Sequence, residues 1–208
     1  MKFFQLILCS LIVFACTRGE IGYRGNYDEF FAENQSGLDS NSEIKKALCE
    51  DGFAGEYPCK GYDLIAHLSL SDFESERGND SWGWSDPQTQ KEYVLMGLDD
   101  GTGFVDISDP EKPIFLGKLL SATSNSIWRD IKDYNEHALI VSQAENHGLQ
   151  VFDLKNLRGV DGRKNFEPDA TLNTFGNAHN IAINEDSGYA SVSYTHLRAH
   201  ETLRYLVC

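Results

Sequence analysis

The sequence predicts an all-β fold, namely a β-propeller of four-stranded blades that is present here as an incomplete set of about three blades. Short apolar segments separated by turn residues fill the chain after Cys59, and they recur every 47 to 50 residues in groups of four. Such a repeat is typical of propellers, in which each sheet buries its faces against its neighbours. A β-sandwich with coincidental spacing is the alternative.

The N-terminus predicts export. Lys2 is followed by an apolar stretch over residues 3–15, which is shorter than the roughly 20 residues of a membrane-spanning helix and fits a signal peptide. Residues 13–16 (VFAC) resemble a lipobox, although Phe14 is bulkier than the usual residue there. Cys16 is therefore the expected lipid anchor. Cleavage after residue 15 without a lipid is the alternative.

A polar segment, residues 16–48, follows the signal peptide and has the composition of a tether. Cys49 and Cys59 flank a loop that contains two glycines and a proline. In an exported protein two unrelated free thiols are uncommon, so we expect a Cys49–Cys59 disulfide. The repeats are expected to occupy residues 49–190.

Each predicted blade contains four types of strand. The repeat is clearest in the second strand, which is a hydrophobic run, and in the third strand, which contains an aspartate. The aspartates of two successive third strands, Asp106 and Asp153, are 47 residues apart. The second strands are residues 92–97 and 137–142, and the third strands are residues 103–107 and 148–154. The outer strands are residues 63–68, 113–119 and 170–175, and the first strands are residues 82–85, 127–132 and 178–183.

The net charge of −14 (18 Lys and Arg against 32 Asp and Glu) argues against nucleic acid and anionic lipid as partners. A membrane is expected to be a partner only through the N-terminal lipid. The sequence contains no nucleophile elbow, P-loop, zinc-protease or dinucleotide-binding motif, and therefore no catalytic residue is assigned.

First strands line the central channel of a propeller, so polar residues near them are candidate ligand-binding residues. They are Trp82, Trp128, Arg129, Asp130, His147, His179 and Asn180. Hydrogen bonds between blades are the alternative role for the polar ones, and ordinary packing is the alternative role for the tryptophans. Asp99, Asp100 and Glu145 lie in equivalent loops and could bind Ca²⁺, although turn chemistry also explains these loops.

A family resemblance supports the same fold. Residues 105–113 (VDISDPEKP) resemble the repeat of LVIVD-type propellers, and residues 49–189 are similar to the bacterial choice-of-anchor B group of exported proteins. The matching segments are residues 49–52, 57–59, 78–84, 86–87, 128–132, 150–154 and 176–181. The resemblance implies a propeller of seven or so blades outside the cell, with no assigned catalysis.

The resemblance ends near residue 190. Residues 191–208 are similar to the peptide that results when sequencing-adapter DNA is translated, and we expect them to be non-native. A genuine basic C-terminal strand is the alternative. The expected function is that of an exported binding module for a protein or glycan at the cell surface. The alternative is a metal-dependent hydrolase with its site in the central channel.

Overall fold

A computed structural model describes residues 46–193 and the backbone of Thr202–Leu203. These residues belong to one unit of the chain, residues 40–208. They form an all-β structure of several antiparallel sheets, as the sequence predicts. The expected signal peptide, nearly all of the tether and Cys16 lie outside the described residues.

The first sheet is small and is closed by a disulfide. Its three strands are β1 (Cys49–Glu50), β2 (Phe53–Ala54) and β3 (Tyr57–Pro58). The predicted Cys49–Cys59 disulfide is present, with the two Cα atoms 5.8 Å apart. The outer strand expected over residues 63–68 is not formed, because Leu64 makes only an isolated bridge with Ala47.

The second sheet contains the first complete four-stranded repeat. Its strands are β4 (Gly78–Ser85), β5 (Glu92–Leu98), β6 (Gly101–Asp106) and β7 (Ile114–Leu120). They pair as consecutive antiparallel neighbours. Strand β4 begins four residues before the first strand that the sequence suggested, so the tryptophans lie in its second half.

The third sheet repeats this order. Its strands are β8 (Arg129–Tyr134), β9 (His137–Ser142), β10 (Leu149–Asp153) and β12 (Ala170–Leu172). Between β10 and β12 the chain forms a 3₁₀ helix, Leu154–Leu157, and strand β11, Lys164–Phe166. Strand β11 pairs in parallel with β7 and thereby covers the edge of the second sheet. The sequence repeat did not reveal this insertion.

The fourth sheet consists of β13 (Asn180–Asn184), β14 (Tyr189–Ser193) and β15 (Thr202–Leu203). The expected non-native tail therefore begins inside β14, and β15 pairs with Ala190 and Ser191. Apart from these strands, the tail lies outside the described residues.

Apolar side chains pack the sheets face to face. Alternation along β9 sends Ala138 and Ile140 to the cluster that includes Phe104 and Leu95 of the second sheet. The residues between them, such as Leu139, pack with Ile181, Ala190 and other residues against the fourth sheet. One strand therefore contributes to two cores. No described helix is long and apolar enough to cross a membrane.

Candidate functional site

Carboxylates on the first strands bind the backbone of the neighbouring first strand. Asp80 of β4 accepts a hydrogen bond from the N–H of Ile131 at 2.9 Å. Asp130 of β8 accepts one from the N–H of Ile181 at 2.7 Å. Asp80, Asp130 and Asn180 of β13 are spaced 50 residues apart, so they occupy equivalent positions in successive first strands. These contacts are repeated bridges between sheets, which is the alternative role that the sequence left open.

The two aspartates differ in their electrostatic surroundings. Burial and the nearby charge of Asp130 raise the pKa of Asp80, against the hydrogen bond from Ile131. Burial also acts to raise the pKa of Asp130, but an ion pair with Lys132 at 2.6 Å and the N–H of Ile181 lower it. Both carboxylate oxygens of Asp130 therefore have partners, since Asn180 Nδ2 also lies 3.4 Å from Oδ2.

Arg129 and His147 form a buried pair, with 2% and 0% of their surfaces exposed. Arg129 Nε donates to Leu98 O at 3.1 Å, and Nη1 donates to His147 Nε2 at 3.1 Å. His147 Nδ1 lies 3.1 Å from Gly148 O, so the neutral ring with its proton on Nδ1 satisfies both contacts. Arg129 thus connects the second and third sheets from inside.

Burial controls the protonation of this pair. It lowers the pKa of Arg129 to about 10, although Asp100 and Asp99 act in the opposite direction. Burial also lowers the pKa of His147 to about 4, and the positive charge of Arg129 contributes to this lowering. The histidine is therefore neutral at pH 7. Arg129 Nη2 has no hydrogen-bond partner among the described residues.

Trp82 is held by the neighbouring sheet. Its indole Nε1 donates to Asp133 Oδ1 at 2.7 Å, and Lys132 Nζ lies 4.3 Å from the centre of the indole ring. Both partners belong to β8, while Trp82 belongs to β4. The contacts of this tryptophan are therefore those of a residue that packs between sheets.

Three connections, which we call the upper loops, lie at one end of the sheets: residues 121–128, 143–148 and 173–179. Hydrogen bonds join them, for example from Thr123 Oγ1 to Glu145 O at 2.9 Å and from Gly148 N to Gly176 O at 2.7 Å. The upper loops consequently form one continuous surface next to the start of the first strands.

Trp128 and His179 lie on the upper loops and contact each other. The centre of the Trp128 indole is 5.7 Å from that of the His179 ring, and Trp128 is 47% exposed. Gln143 Nε2 is 2.7 Å from His179 Nδ1, which fixes the imidazole. The structure thus brings two of the candidate ligand-binding residues together in an accessible position. Arg129, Asp130 and His147 lie buried beneath this end.

Two of the candidate calcium ligands, Asp99 and Asp100, have partners within the protein. Asp99 Oδ1 accepts hydrogen bonds from the N–H groups of Glu76 and Arg77, both at 3.2 Å. Asp100 forms an ion pair with Lys118. No group of three or more His, Cys, Asp or Glu side chains in the described part of the chain is arranged to hold a metal ion.

Sequence reasoning missed an ion pair that joins two turns at the end of the sheets opposite the upper loops. Arg158, which follows the 3₁₀ helix, donates to the Asp86 carboxylate from Nε at 2.8 Å and from Nη2 at 2.6 Å. It also contacts Glu136. Asp86 lies in the β4–β5 turn and Glu136 in the β8–β9 turn, so Arg158 ties two sheets together. No repeat spacing could have indicated this contact, because Arg158 lies in the insertion.

No protein-family model, curated protein or solved structure matches this chain. The functional argument therefore depends on the geometry of its own residues.

Proposed function

We propose that this chain is an exported β-propeller of the LVIVD, choice-of-anchor B kind, and that it binds a protein or a glycan at the cell surface through its upper loops. The proposal assigns no catalysis. It depends above all on the accessible Trp128–His179 pair.

Repeated contacts support the propeller arrangement. The first strands β4, β8 and β13 are linked in turn by equivalent hydrogen bonds, from Ile131 N–H to Asp80 and from Ile181 N–H to Asp130. Each link spans 51 residues. Successive sheets are also packed through apolar faces, which is how propeller blades are stabilised. In this arrangement the first strands surround the axis.

The disulfide supports export, because structural disulfides persist in oxidising compartments. The N-terminal pattern supports a lipid on Cys16, which would hold the propeller at a membrane surface through the polar segment 16–48. Mass spectrometry of the N-terminal peptide from an exporting host tests this part. An acylated Cys16 is expected, and an unmodified N-terminus would contradict lipid attachment.

The Trp128–His179 pair supports a binding role. Tryptophan is enriched among residues that dominate binding energy, because it offers a large rigid apolar surface and one N–H donor. The Trp128 indole contacts the His179 ring, and this contact restricts the tryptophan side chain before a ligand binds, which lowers the entropy cost of binding. Gln143 supplies an adjacent amide. This combination suits a polar ligand with an apolar face.

Binding by the labelled full chain to an array of bacterial surface polysaccharides and to fixed bacterial cells tests the proposal. Substituting Trp128→Ala should weaken binding at least tenfold, because truncating an interface tryptophan commonly costs more than about 1.4 kcal/mol. The matched control is Tyr62→Ala, which removes an aromatic residue that is 82% exposed and outside the upper loops. It should bind as the unmodified chain does.

Equal losses in the two variants would indicate general surface adhesion and would overturn the proposal. Absence of binding to both the array and the cells would overturn it as well. A metal-dependent hydrolase at the channel would need carboxylate oxygens that converge there. Both oxygens of Asp130 have protein partners, so no observation favours that alternative over the binding role.

A further inference from the structure

A cleft of about 460 Å³ opens between the second and third sheets, and residues 121–123, Asn146 and Asn173 of the upper loops form part of its lining. Its walls come from the end of β7, from the segment 165–168 that contains the end of β11, and from β12 with the residue that follows it. The volume lies within the range of about 300–1,000 Å³ that is usual for small-ligand sites. The cleft does not include Trp128 or His179.

Several polar side chains around the cleft have no partner among the residues that the structure describes. Asn146, Asn165, Thr171 and Asn173 line it and make no side-chain hydrogen bond among the described residues. They project from two loops and two strands, so their positions are set by separate parts of the fold. Each offers a donor and an acceptor.

Gln150 is a buried polar member of the lining, with 2% of its surface exposed. Its Nε2 donates to Leu120 O at 2.9 Å, which fixes the amide plane. Its Oε1 has no hydrogen-bond partner among the described residues. Gln150 interacts with the buried His147 ring and acts to raise the pKa of that ring, so it joins the cleft to the Arg129–His147 pair.

The charge of the lining restricts the ligand class. None of the described residues that line the cleft is Lys, Arg or His, and Glu167 is the single acidic one. An anionic ligand would therefore meet no compensating charge. Apolar surface from Leu119, Leu120 and Pro168 lies beside the amides and hydroxyls. Such a mixture matches a neutral ligand that carries many hydroxyl groups on a carbon ring.

The geometry points to a saccharide-binding site in this cleft, one that takes a neutral sugar unit. The amides of Asn146, Asn165 and Asn173 and the hydroxyl of Thr171 bind the sugar hydroxyls. The site shares the upper loops with the function proposed above but contains neither Trp128 nor His179, on which that proposal depends. If both are correct, one glycan chain could contact both.

Saturation-transfer NMR and calorimetry with the full chain test this inference. The probes are glucose, galactose, mannose and N-acetylglucosamine, together with the β1,4-linked disaccharides of glucose and of N-acetylglucosamine. At least one probe should bind, and the double substitution Asn165→Ala with Asn173→Ala should weaken it at least tenfold. Both asparagines are exposed and unpaired, so the fold should be unaffected. Asn156→Ala, which changes an exposed asparagine of the 3₁₀ helix outside both the lining and the upper loops, is the matched control.

Retention of sugar binding in Trp128→Ala, combined with its loss in the double variant, would assign the sugar to the cleft. Failure of every probe to bind, or equal binding by the double variant and the Asn156→Ala control, would overturn the inference. Binding of an extended alanine-rich peptide in place of the sugars would also overturn it. None of these outcomes decides whether Trp128 binds surface ligands, so the two proposals fail separately.

Discussion

The buried imidazole of His147 should make the stability of this protein fall in mild acid. His147 is fully buried, and burial together with the Arg129 charge lowers its pKa to about 4. In the unfolded chain the same side chain titrates near pH 6.5. Between these two values the unfolded chain binds a proton that the folded chain does not bind, so the free energy of unfolding decreases as the pH falls.

The magnitude follows from the two pKa values. Each pH unit well inside this window corresponds to about 1.4 kcal/mol and each unit at its edges to less, so lowering the pH from 6.5 to 4.5 should remove about 2 kcal/mol of stability through His147 alone. That is a large fraction of the 5–15 kcal/mol that typically stabilises a domain. The contribution is fully present above about pH 6.5 and is lost progressively down to about pH 4.

Urea unfolding of the full chain at pH 7.5, 6.5, 5.5 and 4.5, with the disulfide kept oxidised, measures this effect. Other groups also titrate in this range, so the same series is recorded for His147→Gln. The glutamine can accept from Arg129 Nη1 but cannot bind a proton. The difference in unfolding free energy between the two proteins should fall by about 2 kcal/mol from pH 6.5 to pH 4.5.

Parallel pH curves for the two proteins would refute the reasoning. They would mean that His147 titrates alike in the folded and unfolded chains and is therefore not buried against Arg129. An NMR titration of the His147 ring gives a direct check. Substituting Arg129→Met removes one of the two causes of the lowered pKa, so it should move the titration midpoint upward but leave it below 6.5, because burial remains.

Two further predictions concern contacts between sheets. Asp86→Asn should lower the thermal midpoint at pH 7 by several degrees, since the hydrogen bond from Arg158 holds the pKa of Asp86 below its usual value. The stabilising contribution of the Asp86–Arg158 contact is present above about pH 4 and is lost as the pH falls. The thermal midpoints of Asp86→Asn and of the unmodified protein should therefore approach each other by pH 2.5, and a constant difference between them would contradict this prediction. Asp130→Asn should be more destabilising than Asp80→Asn by about 1 kcal/mol in urea at pH 7, because only Asp130 has a lysine partner, and the reverse order would contradict the assignment.

The sequence predicted the sheets well where a strand is apolar and short turns surround it. Strand β9 has the bounds that were expected, because alternate residues of this strand face two different cores and both sets are apolar. The outer strands were harder to predict. Residues 63–68 have a strand-like composition but make only the Ala47–Leu64 bridge, because strand formation also needs a partner edge, which composition does not encode.

The candidate site was predicted in part. The sequence interpretation began the earliest first strand at Trp82 and so left out Asp80, whereas the hydrogen bonds of Asp80 and Asp130 show equivalent positions 50 residues apart. A comparison of polar residues at that spacing would have found Asp80. The insertion that carries β11 and Arg158 has no counterpart in the other repeats, so no spacing could have indicated its contacts.

The partners of the first-strand residues bear on where a ligand could bind. A buried polar group that already has its hydrogen bonds gains little from a ligand and loses those bonds if it rearranges. Asp80 and Asp130 hold backbone N–H groups of neighbouring strands, and Arg129 holds Leu98 O and His147. The groups that remain available are on the upper loops and in the adjacent cleft. Recognition there would leave the links between sheets intact, which is why substitutions at Trp128 or Asn173 should change binding without changing stability.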